Sequence, residues 1–487
     1  MADYRRSLMQ GAITIARLSP LLHGWLGGRL MACAALALLS ACNLGPRYQR
    51  PDVPPPAAWA TEDAAAARQW PTSDWWRGFG SDDLNSFIAQ AQLTNDDLRA
   101  AIARVCEADA QRLIARAPLL PAIGAQADAI RSRAPVSGGG FATGSDFRPF
   151  ITASYELDFW GKNRAALEAA TANAHASRYD RTTIELAVMA GVATSYFQTL
   201  ELRDRLAIAN ANLENATHIL SGLRLEQRAG TATALDVAQQ ETVAATVNAT
   251  IPPLKQQLRQ SLDALAILVG SMPEALEVTH GTLDEVSQPD VRPGLPSELL
   301  ARRPDVAAAE SQLIAANADI AAARAAFFPS ISLTAAGGYE SSMLAHLLRP
   351  ANQVWSLGAG VTQPIFQGGA LVGQYRFSKS RYEELLAGYH KAVISAFANA
   401  EDALIAVQQT RELIERQREA ATQAERAYRF AQAQMRAGTI SVLTLLNTQT
   451  ALFSTRDALA QAKFAHLQAL VALYQALGGG WQAGDAA

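Results

Sequence analysis

The chain has 487 residues, with 42 Lys and Arg against 45 Asp and Glu and a formal net charge of -3. It contains no basic run of the kind that tracks a nucleic-acid backbone, which argues against nucleic acid as a partner. Hydrophobic residues make up 49%, with alanine the commonest among them, and this favours close-packed long helices over a membrane-spanning helical bundle.

Residues 1–41 read as a signal peptide. Arg5, Arg6, Arg17 and Arg29 precede an apolar run from Leu30 to Leu39, and no carboxylate follows Asp3 in this stretch. The run is shorter than the ~20 residues a helix needs to cross a bilayer. Small residues at Ser40 and Ala41 admit a peptidase, leaving Cys42 as the mature amino terminus, with a thiol that accepts a diacylglycerol. Leu39-Ser40-Ala41-Cys42 resembles the bacterial lipobox. Asn43 stands where, by that resemblance, an aspartate would retain the protein at the inner membrane, so the outer membrane is the expected destination. Initiation at Met9 or Met31 leaves the same mature end. Cys106 is then the one remaining thiol, and no intramolecular disulfide can form.

Residues 42–82 form the lipidated amino-terminal segment, and beyond it one unit is used twice. Arg116-Ala117-Pro118-Leu119-Leu120-Pro121 recurs as Arg324-Ala325-Ala326-Phe327-Phe328-Pro329. Arg228-Ala229-Gly230-Thr231 recurs as Arg436-Ala437-Gly438-Thr439, both pairs being 208 residues apart. The first repeat occupies 83–290 and the second 291–478, followed by a tail at 479–487.

Each repeat opens with a helical segment, Leu84 to Arg116 and Ser297 to Arg324. Two strands follow, at about 121–134 and 148–160 in the first repeat and about 329–340 and 353–366 in the second. Their alternation is strict. Ile151, Ala153, Tyr155, Leu157 and Phe159 oppose Thr152, Ser154, Glu156 and Asp158, a period of two that a strand produces. Trp355, Leu357, Ala359 and Val361 oppose Ser356, Gly358, Gly360 and Thr362 in the same way. Helical hairpins then run over about 161–271 and 368–477, reversing at Gly230 and Gly438. Pro252-Pro253 is expected to interrupt the first returning helix. The second returning helix carries two adjacent seven-residue stripes, Leu445, Leu452, Leu459, His466, Leu473 and Leu446, Phe453, Ala460, Leu467, Tyr474, enough for neighbours on both sides.

Strands apolar on one face and polar on the other suit a membrane barrel, but four cannot close one, since bacterial barrels start at about eight. Two, three or four copies would give eight, twelve or sixteen strands, and periodicity alone does not choose. Glu156, Asp158 and Asp128 are expected to face the barrel water. No His-Glu-x-x-His, paired metal-ligand histidines, nucleophile elbow or Walker loop is present, and neither an enzyme nor a cofactor is expected.

Several motifs together carry a family resemblance over nearly the whole mature chain. They are Leu295-Pro296-Ser297, Arg302-Arg303-Pro304-Asp305, Ala309-Glu310, Phe328-Pro329, Gln363-Pro364-Ile365-Phe366, Gly368-Gly369 and the duplicated turns. The chain resembles the TolC-type outer-membrane efflux proteins, in the OprM-like lipoprotein branch. The resemblance implies a mainly α fold with a β-barrel portion, closed as a homotrimer with a twelve-stranded outer-membrane barrel on a periplasmic α-barrel. It also implies a passive exit duct served by a periplasmic adaptor and an inner-membrane pump, of RND type. The competing reading is a structural or adhesive lipoprotein that conducts nothing.

By the same resemblance the hairpin turns form the periplasmic mouth, with Gly230, Thr231, Gly438 and Thr439 as adaptor contacts through backbone and hydroxyl groups. Asp236 matches an aspartate of the constricted gate. The second tip departs from the acidic pattern, with Thr444 and Asn447, and with Ile440 where an arginine would stand. Closure is therefore expected to rest on Asp236, on polar contacts at Thr444 and Asn447, and on packing of Val442 and Leu443. A helix-start carboxylate favoured by the helix dipole is the plainer account of Asp236.

Overall fold

A computed structural model of the chain describes residues 45–56, 58–59, 70–135, 137–278, 280–291 and 296–482. Residues 1–41, expected as a signal peptide, together with Cys42 and Leu295 lie outside them. The elements in chain order are α1 (Asp82–Thr94), α2 (Asp96–Arg116), β1 (Ala122–Pro135), β2 (Phe141–Leu157), α3 (Lys162–Arg228) and α4 (Ala234–Leu268). The second repeat supplies α5 (Pro304–Ala325), β3 (Ser330–Tyr339), β4 (Gln353–Thr362), α6 (Ala370–Arg436) and α7 (Val442–Ala476). Helices α3 and α6 have 67 residues each, and α4 and α7 have 35 each, so the duplication preserves helix length to the residue. A 67-residue helix is about 100 Å long.

The first helical segment is broken where the sequence suggested continuity. Asn95 ends α1 and caps α2, its Oδ1 accepting from the Leu98 amide at 2.9 Å while its Nδ2 donates to the Leu268 carbonyl at 2.9 Å. Conversely, α4 continues through Pro252-Pro253. Both prolines lie on its exposed side, so the carbonyls of Asn248 and Ala249, which lose their donors, face water. On the opposite side Ile251 and Leu254 bury against Leu202 and Ala209 of α3 and hold the helix in register.

The described residues divide into two compact units, one drawn from 45–49, 109–172 and 313–384, the other from 50–108, 173–312 and 385–482. The first contains an antiparallel four-stranded sheet in the order β1-β2-β3-β4. Below it, Trp160 stacks on Phe328 at 4.9 Å and donates its indole N–H to the Pro329 carbonyl at 2.8 Å, tying the exit of β2 to the entry of β3. Ala169, Ala172, Ala315 and Ala318 pack α3 on α5, alanine permitting close approach.

The second unit holds the helical hairpins. Both predicted stripes of α7 are buried, apart from half-buried Leu459. His466 lies 2% exposed within one of them, its Nδ1 2.9 Å from the Thr410 hydroxyl of α6. Among the described residues no helix is long and apolar enough to cross a membrane.

Candidate functional site

The sheet has two chemically distinct faces, and the pairing register carries each across all four strands. One rung joins Ile123, Ala153, Ala335 and Leu357, the next Ala125, Ile151, Gly337 and Trp355, and others Tyr155, Leu333, Ala359 and Leu157, Ile331, Val361. The opposite face offers Thr152, Ala336 and Ser356, then Ser154, Thr334 and Gly358, then Glu156, Ser332 and Gly360. Nothing among the described residues covers the apolar side fully: Ile123, Ile151, Trp355, Leu357 and Val361 are 64–76% exposed. From the Leu157 rung to the Ala129–Phe147 rung is about 33 Å along the strands, or about 25 Å of height at a barrel's usual tilt, the thickness of a lipid-facing band.

Charges cluster on the polar face. Arg148 pairs with Asp146 and with Glu340 at 3.0 Å, and Lys162 donates to Glu156 at 2.6 Å. Asp128 accepts from Gln126 at 2.9 Å. Asp158 does not join them. Strand β2 ends at Leu157, and Asp158 caps α3, accepting from the amides of Asn163 at 3.0 Å and Arg164 at 2.8 Å. The free amides at a helix start outcompeted a place on the strand.

The two hairpin turns are built alike. Gly230 and Gly438 take positive φ, 78° and 71°. In each turn two amides bond back: Gly230 to the Gln227 carbonyl and Thr231 to that of Glu226, Gly438 to that of Met435 and Thr439 to that of Gln434. This paired closure satisfies the last helical carbonyls. The Thr231 and Thr439 hydroxyls are also spent internally, donating to the Glu226 carbonyl at 3.1 Å and the Gln434 carbonyl at 3.0 Å. What the tips offer outward is hydroxyl lone pairs and bare backbone, with open space at both glycines.

The starts of the returning helices differ. Asp236 accepts from the Thr233 amide at 2.8 Å and hydroxyl at 2.7 Å, while the Thr233 hydroxyl in turn accepts from the Asp236 amide at 3.2 Å. This reciprocal cap holds the carboxyl below its ordinary range, the side-chain bond from Thr233 contributing most. At the matching place in α7, Ser441 caps no backbone group and its hydroxyl lies 3.3 Å from that of Thr444.

Val442, one of the residues expected to pack at the closure, lies in the hairpin core. It is 6% exposed and packs with Leu223, Val237 and Leu446, joining α3, α4 and α7. Ile440 packs partly buried against Tyr428, Ala431, Leu445 and Leu452. Leu443, 53% exposed, and Thr444 and Asn447 remain outward on one face of α7. The reading of residues alone missed the polar groups buried between the hairpins. Gln240 and Gln449 are each fully buried; Gln240 donates to the Ala216 carbonyl at 2.8 Å, whereas neither amide atom of Gln449 has a partner among the described residues. Their signal is faint, a polar residue placed three from an apolar stripe position.

The profile of the outer membrane efflux protein family matches residues 87–271 and again 295–479. The chain belongs to this family. The two matched stretches begin 208 residues apart, the same spacing as the repeated motifs. The chain is 40% identical over 467 residues to the pyoverdine export outer membrane protein OpmQ of Pseudomonas aeruginosa, covering 93% of this chain and 97% of the relative. It is 31% identical to the cation efflux system protein CusC of Escherichia coli O6:H1, covering 92% and 98%. The solved outer-membrane channel OprN superposes with a TM-score of 0.85 at 29% identity, covering 91% of this chain and all of that one. The protein is therefore an outer-membrane efflux channel component with a periplasmic extension. Proteins of this family are channels rather than enzymes, and work with adaptor and inner-membrane pump components.

Proposed function

We propose that three copies of this lipoprotein close twelve strands into one outer-membrane barrel, apolar face to lipid and polar face to water, as a passive duct for small molecules. The observation that carries it is the four-strand apolar face with unpaired edges at β1 and β4. An open edge in hydrocarbon leaves backbone groups without partners, and only further strands, supplied by further copies, relieve that. An inner-membrane pump of RND type supplies the energy through an adaptor seated on the tips at Gly230, Thr231, Gly438 and Thr439. A non-conducting lipoprotein has no use for a polar face that aligns across four strands.

At the periplasmic end Asp236, Leu443, Thr444 and Asn447 line the constriction, and Val442 supports it from within the hairpin core. Three Asp236 carboxylates around an axis form an anionic ring that attracts cations and resists close approach. Single-channel recording tests both parts. Purified protein in planar bilayers is expected to conduct weakly, with Asp236→Asn raising conductance and lowering cation preference while Thr233→Val leaves the preference unchanged. Equal effects of both changes would reduce Asp236 to a helix cap, and bilayers that never conduct with any of the three proteins would remove the duct. The pyoverdine exporter at 40% identity makes pyoverdine the first cargo to try.

A further inference from the structure

The outward face of the sheet is uncharged along β2, β3 and β4 and along β1 as far as Ala129; its two charged side chains are Arg131 and Arg133. Alternation places them on the side of Ile123, Ala125, Ala127 and Ala129, one and two rungs beyond the end of the apolar band. Both are exposed. The Arg133 guanidinium lies 5.0 Å above the Phe141 ring, which holds it at the rim. Neither arginine has a carboxylate partner among the described residues. The polar face behaves differently, since its Arg148 is neutralised by Asp146 and Glu340.

An unpaired arginine is costly at mid-membrane and tolerated at headgroup height. These two stand at the end of the sheet where β1 turns into β2, away from the end that feeds the helices, which is the cell-surface end of an outer-membrane barrel. Cations left without internal partners on a face otherwise devoted to lipid call for an external anion. A guanidinium fork matches the paired oxygens of a phosphate. We propose that Arg131 and Arg133 bind the phosphate groups of an outer-leaflet lipid, six arginines per trimer forming a cationic collar above the apolar band. The proposal rests on the barrel reading given above.

The test uses purified full-length protein, wild type and R131Q/R133Q. Binding is read by native mass spectrometry to a phosphate-bearing outer-leaflet glycolipid, to the same lipid dephosphorylated, and in competition with inorganic phosphate. Wild type is expected to bind the phosphorylated lipid about thirtyfold more tightly than the double variant, the effect of two cations facing anionic headgroups, with the gap narrowing as salt rises. The dephosphorylated lipid should show no preference, and equimolar inorganic phosphate should not displace the intact one. Equal affinity of the two proteins, equal affinity for the two lipids, or displacement by equimolar phosphate each overturns the collar. Conductance of the same preparations separates the two readings: a conducting wild type without lipid preference overturns the collar alone, and one that never conducts overturns the duct beneath it.

Discussion

The guanidinium of Arg205 grips the carboxylate of Asp457, Nε at 2.7 Å and Nη2 at 3.2 Å, and so joins α3 of the first repeat to α7 of the second. Its Nη1 also donates to Glu201 at 3.0 Å, a carboxyl that burial pushes up and the arginine pulls back. One cation thus serves two acids from two copies of the duplicated unit.

Arg205→Met leaves both carboxylates partly buried without a counter-charge. The trimer is expected to lose about 1–2 kcal/mol of stability, discounted because Arg205 and Asp457 are partly exposed. A double-mutant cycle with Asp457→Asn, read by thermal dissociation, checks it. Coupling within experimental error would show that the pair holds nothing.

Burial, and after it Arg411, pushes the His466 imidazole below its ordinary value of 6.5. A base that is harder to protonate when folded costs nothing above that value. As pH falls below it, the unfolded chain takes up a proton that the folded chain refuses, and stability declines until the folded group itself titrates. Melting temperature is expected to drop between pH 7.5 and 5.5, and to drop less in His466→Gln. Parallel pH profiles for the two proteins would contradict this.

A Cβ added at Gly338 would stand 2.1 Å from the Pro149 carbonyl oxygen, backbone that cannot step aside within a paired ladder. Gly338→Ala should therefore part β2 from β3 at that rung and sharply reduce assembled trimer on native gels. Gly337→Ala, with open space at the same test position, is the control that should assemble normally.

With four strands per copy available to hold the protein in the membrane, the lipid expected on Cys42 would be a second anchor. Cys42→Ala, carried on a cleavable signal, is expected to yield assembled channel in reduced amount. Complete loss of trimer from the outer membrane would assign the lipid a larger part.

Much of this protein is written locally. The period of two in 151–157 and 353–362, the 208-residue echo of the Arg-Ala-Gly-Thr turns and the paired stripes of α7 are properties of neighbours in sequence, and backbone geometry converts them directly into strands, a duplicated hairpin and buried helix faces. The tips were legible as turns for the same reason, because Gly230 and Gly438 alone tolerate the reversal.

What the tertiary structure decided is which of these residues are already occupied. Val442 and Leu443 are adjacent and both aliphatic, yet one is core and the other outward, because α3 and α4 cover one side of α7. Thr231 and Thr439 look like free hydroxyls until the preceding helix claims them, and Asp158 looks like a strand residue until the start of α3 draws it away. Pro252-Pro253 reads as a break until Ile251 and Leu254 find Leu202 and Ala209 across the hairpin. Alternation and repetition are fixed by the chain's own geometry, whereas the fate of a single polar or apolar group depends on what folding brings within a few ångströms of it.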